Sequence, residues 1–205
     1  MKYTHIAFDI DGTLTNSEFA VIQSLQDTLT SLNGSSPSAG ELSFALGIPG
    51  EETLKRLQVP DVPAAFDLWV KNLRKYIDTI TLFPGIEALL AALKERGIVM
   101  GVVTSQTPEE YDKDFARCPI APYFTILVRA GETAEPKPSS QPLQHFLELA
   151  DCLPSQVLYV GDREGDLRCA RGAGVDFALA GWGNPDRKME VDYCLEAPED
   201  LLRYL

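Results

Sequence analysis

Five short apolar runs, at residues 6–8, 98–103, 124–128, 157–160 and 175–179, constrain the fold more than anything else in this sequence of 205 residues. Each is rich in Val, Ile or aromatic residues and is bounded by Gly, Pro or charge, which is how a strand reads. None alternates cleanly between apolar and polar residues. A strand that is apolar throughout is covered on both faces, as in a parallel sheet. Helical patterns lie between the runs. Pro84 can start one, Ile86, Leu89, Leu90 and Leu93 form its apolar face, and Gly97 stops it. Ser139 is placed to cap another, which carries Leu143, Phe146, Leu147 and Ala150. Strand and helix in alternation predict an α/β fold with a parallel sheet.

One stretch breaks the alternation. Between residues 16 and 81 the pattern is helical, with no convincing strand. Ile22, Leu25, Leu29 and Leu32 recur at helical spacing, a turn follows at 33–37, and two short helical segments come next. Asp61-Val62-Pro63 then opens a longer helix with Phe66, Trp69, Leu73 and Tyr76 on one face. Trp69 and Tyr76 read as core residues of this insert. The predicted organisation is a core of residues 1–15 and 82–205 with a helical insert of residues 16–81.

Composition is ordinary for a globular protein, at 45% hydrophobic and 23% charged residues, but the formal net charge is -12 and the pI about 4.6. Such acidity repels nucleic acid backbones and anionic membranes. It leaves room for a phosphorylated substrate, because a metal ion and a few cations can invert the field locally. The four cysteines, Cys118, Cys152, Cys169 and Cys194, form no C-x-x-C pair and are expected to be small buried hydrophobes in a reducing compartment. The first residues run straight into a strand pattern without a signal peptide, and no apolar run is long enough for a membrane span. A cytoplasmic location is the expectation.

The chemistry gathers where the runs end. Asp9-Ile10-Asp11-Gly12-Thr13 puts two carboxylates at i and i+2 just past the first run, and residues two apart project to one side of an extended backbone. Like charges so close need a cation between them or a proton on one of them. One carboxylate can then act as a nucleophile while the other carries a proton. Gly161-Asp162-Arg163-Glu164-Gly165-Asp166 gathers acids after the fourth run, and a hard divalent ion such as Mg²⁺ takes such oxygen ligands. Lys137 is held between Pro136 and Pro138, which suits a cation that must stay facing a phosphoryl group. Thr104 and Ser105 end the second run with hydroxyls able to bind phosphate oxygens. Ligands of open α/β sheets bind at the carboxyl ends of strands. A nucleophile, a proton donor, metal ligands, a cation and hydroxyls on one sheet edge are the equipment of phosphoryl transfer.

With these residues in order, the chain resembles the haloacid dehalogenase superfamily, and within it the phosphoglycolate phosphatase group. Phe83-Pro84-Gly85, and Gly47-Ile48-Pro49 with Glu51-Glu52, are similar to that group's sequences. The resemblance implies a Rossmann-like core with a helical cap after the first strand. It implies a Mg²⁺-dependent phosphatase acting on a small phosphorylated metabolite, with no nucleic acid or membrane partner. Asp9 would attack phosphorus, and Asp11 would protonate the leaving alkoxide and later activate water. Asp9, Asp11 through its backbone carbonyl, and Asp162 would hold the metal, with Asp166 supporting it from the same loop. Thr104, Ser105 and Lys137 would bind the phosphoryl group.

The chain departs from that pattern at Asn16, where Asp is usual, and at Gln106, where Asn is common; both bear on the substrate. Two alternatives share the motif logic. One is a β-phosphoglucomutase-like mutase. Val21, Gly50 and Gly161 stand where such mutases carry histidine, arginine and glutamate, so the expected final acceptor is water. The other is a phosphoacceptor receiver module, which the helical insert opposes. No G-x-G-x-x-G follows a strand, which sets aside a dinucleotide site. His5 and His145 have no assigned role, and the sequence does not give an oligomeric state.

Overall fold

The computed structural model describes residues 2–184 and 188–205. Two compact units separate by contact: Met1–Leu14 with Leu82–Leu205, and Thr15–Thr81. In chain order, β1 (His5–Phe8) comes first and β2 (Thr15–Asn16) follows. Four helices succeed it, α1 (Glu18–Asn33), α2 (Ala39–Leu42), α3 (Gly50–Arg56) and α4 (Val62–Leu73), before β3 (Thr81–Leu82). The chain continues as α5 (Ile86–Glu95), β4 (Val99–Val103), α6 (Pro108–Lys113), β5 (Ile126–Val128), α7 (Gln141–Ala150) and β6 (Val157–Gly161). It ends with α8 (Glu164–Ala173), β7 (Asp176–Ala180) and β8 (Tyr193–Leu195).

The larger unit holds a six-stranded sheet in the order β5-β4-β1-β6-β7-β8, with every pairing parallel. His5 is in register with Val99 on one side and Val157 on the other, which makes β1 a central strand. Its apolar character follows from burial on both faces. Ile6, Phe8, Leu158 and Val160 pack with Leu89, Leu90 and Leu93 of α5. Ala7, Val157 and Tyr159 turn the other way, toward Leu143 and Phe146 of α7 and Cys169 of α8. The chain leaves β1 for β4 and β5 on one side and returns to β6 on the other. The strand order therefore reverses at β1, and the crevice at such a reversal is where α/β sheets bind ligands.

The smaller unit is helical apart from the two-residue strands β2 and β3, which pair with each other. Ile22, Leu25, Leu29, Leu42, Leu54, Ala65 and Trp69 form its core. Trp69 Nε1 donates to Ser24 Oγ at 2.9 Å, and Tyr76 hydroxyl donates to Asp27 Oδ2 at 2.8 Å. Leu32 ends the α1 stripe in solvent at 45% exposure, so the stripe is one turn shorter than its spacing suggests.

Two local expectations are corrected. Ser139 does not cap α7; Ser140 holds that position without a side-chain bond, and Ser139 Oγ instead accepts from Gln141 N at 3.4 Å. The cysteines are all free, yet only Cys169 is buried, and Cys194 is exposed on the edge strand β8. Among the described residues, no helix is long and apolar enough to cross a membrane.

Candidate active site

Asp9 follows β1 directly, and its amide still donates to the Val160 carbonyl at 2.9 Å, so the ladder with β6 fixes where the carboxylate starts. The chain then turns tightly, with Leu14 N donating to the Ile10 carbonyl at 2.8 Å. Gly12 sits at φ +82°, and a Cβ there would overlap the Asp162 carboxylate. Only glycine allows both the backbone angle and the close approach. Asp162 in turn caps the end of β6 and is fully buried. Gly161 is required for space alone, since a Cβ would fall 2.6 Å from the Asp166 Cβ.

Lys137 reaches this point from the loop after β5 and is buried. Its Nζ donates to Asp9 Oδ1 at 2.8 Å and to Asp166 Oδ1 at 2.7 Å. It also lies 3.3 Å from both the Val103 carbonyl and the Tyr159 hydroxyl. Two opposing effects act on it. Burial lowers the ammonium's pKa, but Asp166 and Asp9 more than offset this and keep it charged. Asp9 is pushed up to about 7, first by burial, with Lys137 opposing and Asp166 reinforcing. Of the two carboxylates, Asp166 does the most to keep Lys137 charged. Asp162 is also pushed well up, by burial first and then by Asp166.

The carboxylates of Asp9, Asp162 and Asp166 have ligand oxygens within 4.8 Å of one another, all buried. Arg163 Nε stands 2.8 Å from Asp162 Oδ2, yet that oxygen is buried and accepts no hydrogen bond. Three buried carboxylates this close repel one another, and such a set of oxygen donors fits a hard divalent cation. Asp166 differs from expectation in its place. It lies in the first turn of α8, not in the loop, and both its oxygens are engaged: Oδ1 by Lys137 and Tyr159, Oδ2 by the Arg163 amide at 3.1 Å. It supports the cluster from the helix.

The Asp11 carboxylate is not in that cluster. Its Oδ2 accepts from Gln106 Nε2 at 2.7 Å. Thr104 follows β4 directly and is buried; its hydroxyl accepts from the Gln106 amide at 3.1 Å. Ser105 is half-buried beside it. Asp9, Lys137, Asp162 and Asp166 thus come together, Asp11 lies beside them through the turn, and Thr104 and Ser105 line the end of β4.

Three participants were not singled out in the sequence. The Tyr159 hydroxyl lies 2.9 Å from Asp166 Oδ1 and 3.0 Å from the Val103 carbonyl, and burial holds its proton firmly. Trp182 Nε1 donates to the Thr13 carbonyl at 2.9 Å, and Asn184 Nδ2 donates to the Asp162 carbonyl at 2.6 Å. Together they brace the Asp9 turn and the Asp162 loop. Tyr159 sits inside an apolar run, and aromatic or amide residues just past a strand, as Trp182 and Asn184 are, are common, so no pattern marked the three.

Comparison with known proteins supplies the context. The family described as Haloacid dehalogenase-like hydrolase matches residues 6–180. A protein named Phosphoglycolate phosphatase from Aquifex aeolicus is 29% identical over 206 residues, covering 98% of this chain and 95% of that one. One named Pyrophosphatase PpaX from Bacillus velezensis is 26% identical, again covering 98% and 95%. A crystal structure from Lactobacillus plantarum matches with a TM-score of 0.90 at 28% identity, over 100% of both chains.

Proposed function

The chain belongs to the haloacid dehalogenase-like hydrolases, and from that premise we propose that it is a Mg²⁺-dependent phosphatase of small phosphomonoesters resembling phosphoglycolate. The observation that carries the reading is Asp9: a buried carboxylate at the strand-order reversal, 2.8 Å from a buried lysine, with an acidic partner two residues on.

Each residue then has a task. Asp9 attacks phosphorus and forms an aspartyl phosphate, while Lys137 holds the nucleophile in place and offsets charge on the phosphoryl oxygens. Asp11 gives its proton to the departing oxygen and afterwards takes one from the water that attacks the aspartyl phosphate. Thr104 and Ser105 offer hydroxyls to the phosphoryl group. Asp9 and Asp162, with the Asp11 carbonyl, would hold Mg²⁺, and Asp166 would keep Lys137 charged beside them. Mg²⁺ bound there supplies positive charge against the phosphoryl oxygens. The unit of residues 15–81 would serve as the cap that chooses the leaving group and excludes water.

Water is the proposed final acceptor. Val21 packs against the helical core, and a side chain at Gly50 would meet the Phe66 ring, so neither position presents a polar anchor for a sugar. Gly161 has no room for a glutamate. A second reading, pyrophosphate as substrate, is favoured by the relative named Pyrophosphatase PpaX.

The test is release of inorganic phosphate by purified protein with Mg²⁺. Phosphoglycolate, pyrophosphate, and β-glucose 1-phosphate with a trace of the 1,6-bisphosphate are supplied separately. Fastest release from phosphoglycolate supports the first reading, and fastest release from pyrophosphate the second. Glucose 6-phosphate forming faster than free phosphate would overturn both in favour of a mutase.

A further inference from the structure

We propose that Gln106 is a positioning residue that holds the Asp11 side chain in place for proton transfer to the leaving group; the inference rests on the phosphatase reading above. Gln106 Nε2 donates to Asp11 Oδ2 at 2.7 Å across 95 residues of sequence. The backbone of Gln106 is held on both sides. Its N–H donates to Thr104 Oγ1 at 3.1 Å, and its carbonyl accepts from Ala130 N at 2.9 Å. Directly after it, Thr107 and Glu110 form a capping box that anchors the start of α6. The side chain therefore leaves a fixed base.

A second observation separates this from ordinary packing. The other end of the same amide, Oε1, is buried and has no hydrogen-bond partner. Leaving a buried acceptor unpaired is unfavourable, and native proteins tolerate it where a function constrains the group. Once Asp11 is ionised, a turned amide would set Oε1 against a carboxylate oxygen, and only the N–H can face that anion. The orientation seen is the one that serves Asp11 after its proton has left.

The chemistry follows. As Asp9 forms its bond to phosphorus, the bond from phosphorus to the leaving oxygen breaks and its electron pair stays on that oxygen. The leaving oxygen takes the Asp11 proton, and Asp11 becomes a carboxylate. The Gln106 N–H then faces a full negative charge, and hydrogen bonds to ionised groups are the stronger ones. The contact strengthens as the proton leaves, so it favours the transition state of proton transfer.

The prediction is selective. A leaving group that is stable as an anion, such as 4-nitrophenolate, needs little protonation, whereas an alkoxide needs it fully. The measure is kcat/KM, which ends with leaving-group departure and excludes hydrolysis of the aspartyl phosphate. Gln106→Ala should lower kcat/KM for an alkyl phosphate by about 10- to 100-fold, a share of what general acid catalysis contributes. For 4-nitrophenyl phosphate the loss should stay below about 3-fold. Gln106→Glu keeps the length but removes the donor, and should lose at least as much on the alkyl substrate.

Equal losses on both substrates, or none on either, would overturn the assignment, as would failure of both variants to fold by circular dichroism. Wild-type protein and Asp9→Asn run alongside. An inactive wild type, or an active Asp9→Asn, defeats the phosphatase reading itself. An active wild type with inert Asp9→Asn and uniform Gln106 effects defeats only the role of Gln106.

Discussion

Replacing Lys137 with methionine keeps the length of the side chain and removes its charge. The ammonium sits 2.7 and 2.8 Å from two buried carboxylates. At an effective dielectric of 20, each contact is worth about 6 kcal/mol of Coulomb attraction. Taking each ion out of water costs several kcal/mol, so the intact cluster contributes little net stability. The variant loses the attraction and keeps the desolvation of Asp9 and Asp166. Breaking a buried pair in this way costs about 3–5 kcal/mol. For a chain of this size that is roughly a 6–20 °C fall in Tm. Turnover should drop by more than about 100-fold, because the cation beside the nucleophile is gone. The assay is thermal melting by circular dichroism in chelator, with phosphate release measured in parallel. The double variant K137M/D166N separates the two effects. It removes the orphaned charge along with the cation, so it should recover about 1–3 kcal/mol relative to the sum of the single changes, without recovering turnover. A Lys137→Met protein melting within about 2 °C of wild type, or keeping more than about a tenth of its turnover, would refute the reasoning.

Asp9→Asn should fold and yet fall below about a thousandth of wild-type turnover, since an amide is no nucleophile; higher retention in a phosphate-release assay would contradict its role. The raised carboxyls of Asp9, at about 7, and Asp162 hold protons in the folded chain that the unfolded chain gives up lower on the pH scale. Each therefore costs stability as pH climbs through that window, and a divalent cation offsets the cost only where the carboxylates are ionised. Mg²⁺ relative to chelator should raise Tm more at about pH 7.5 than at about pH 5, and equal shifts in a melting series would refute this. Gly161→Ala places a methyl against Asp166, which must move; a loss of about 1–3 kcal/mol and at least a tenfold fall in turnover are expected, and an unchanged variant would show that α8 yields freely.

The parallel core was legible because its strands are covered on both faces, and double burial writes a continuous apolar run. The runs misjudged only their ends. Phe124 lies outside β5 but is still buried, its ring against Phe8 and Phe115, so it carries the apolar signal of a strand without the pairing. Strand β8 left no such signal. It is three residues at an edge, with Tyr193 half-buried and Cys194 exposed. β2 and β3 are two residues each, too short for any period to show.

At the site, the charged residues were legible for a related reason: carboxylates and a proline-bracketed lysine are out of place beside buried strands unless they act there. What stayed hidden were groups whose role depends on a neighbour distant in sequence. Tyr159 reads as one more apolar residue of the run at 157–160, and its ring does pack against Phe177. Only the tertiary fold shows its hydroxyl meeting Asp166 and the Val103 carbonyl together. Gln106 reads as a departure bearing on the substrate. Its side chain instead bonds Asp11 from across the crevice, because β4 lies next to β1 in the sheet although 90 residues of sequence lie between the end of β1 and the start of β4. A motif reports which side chains do chemistry. The groups that aim them are set by which strands are neighbours, and strand order is a property of the whole chain.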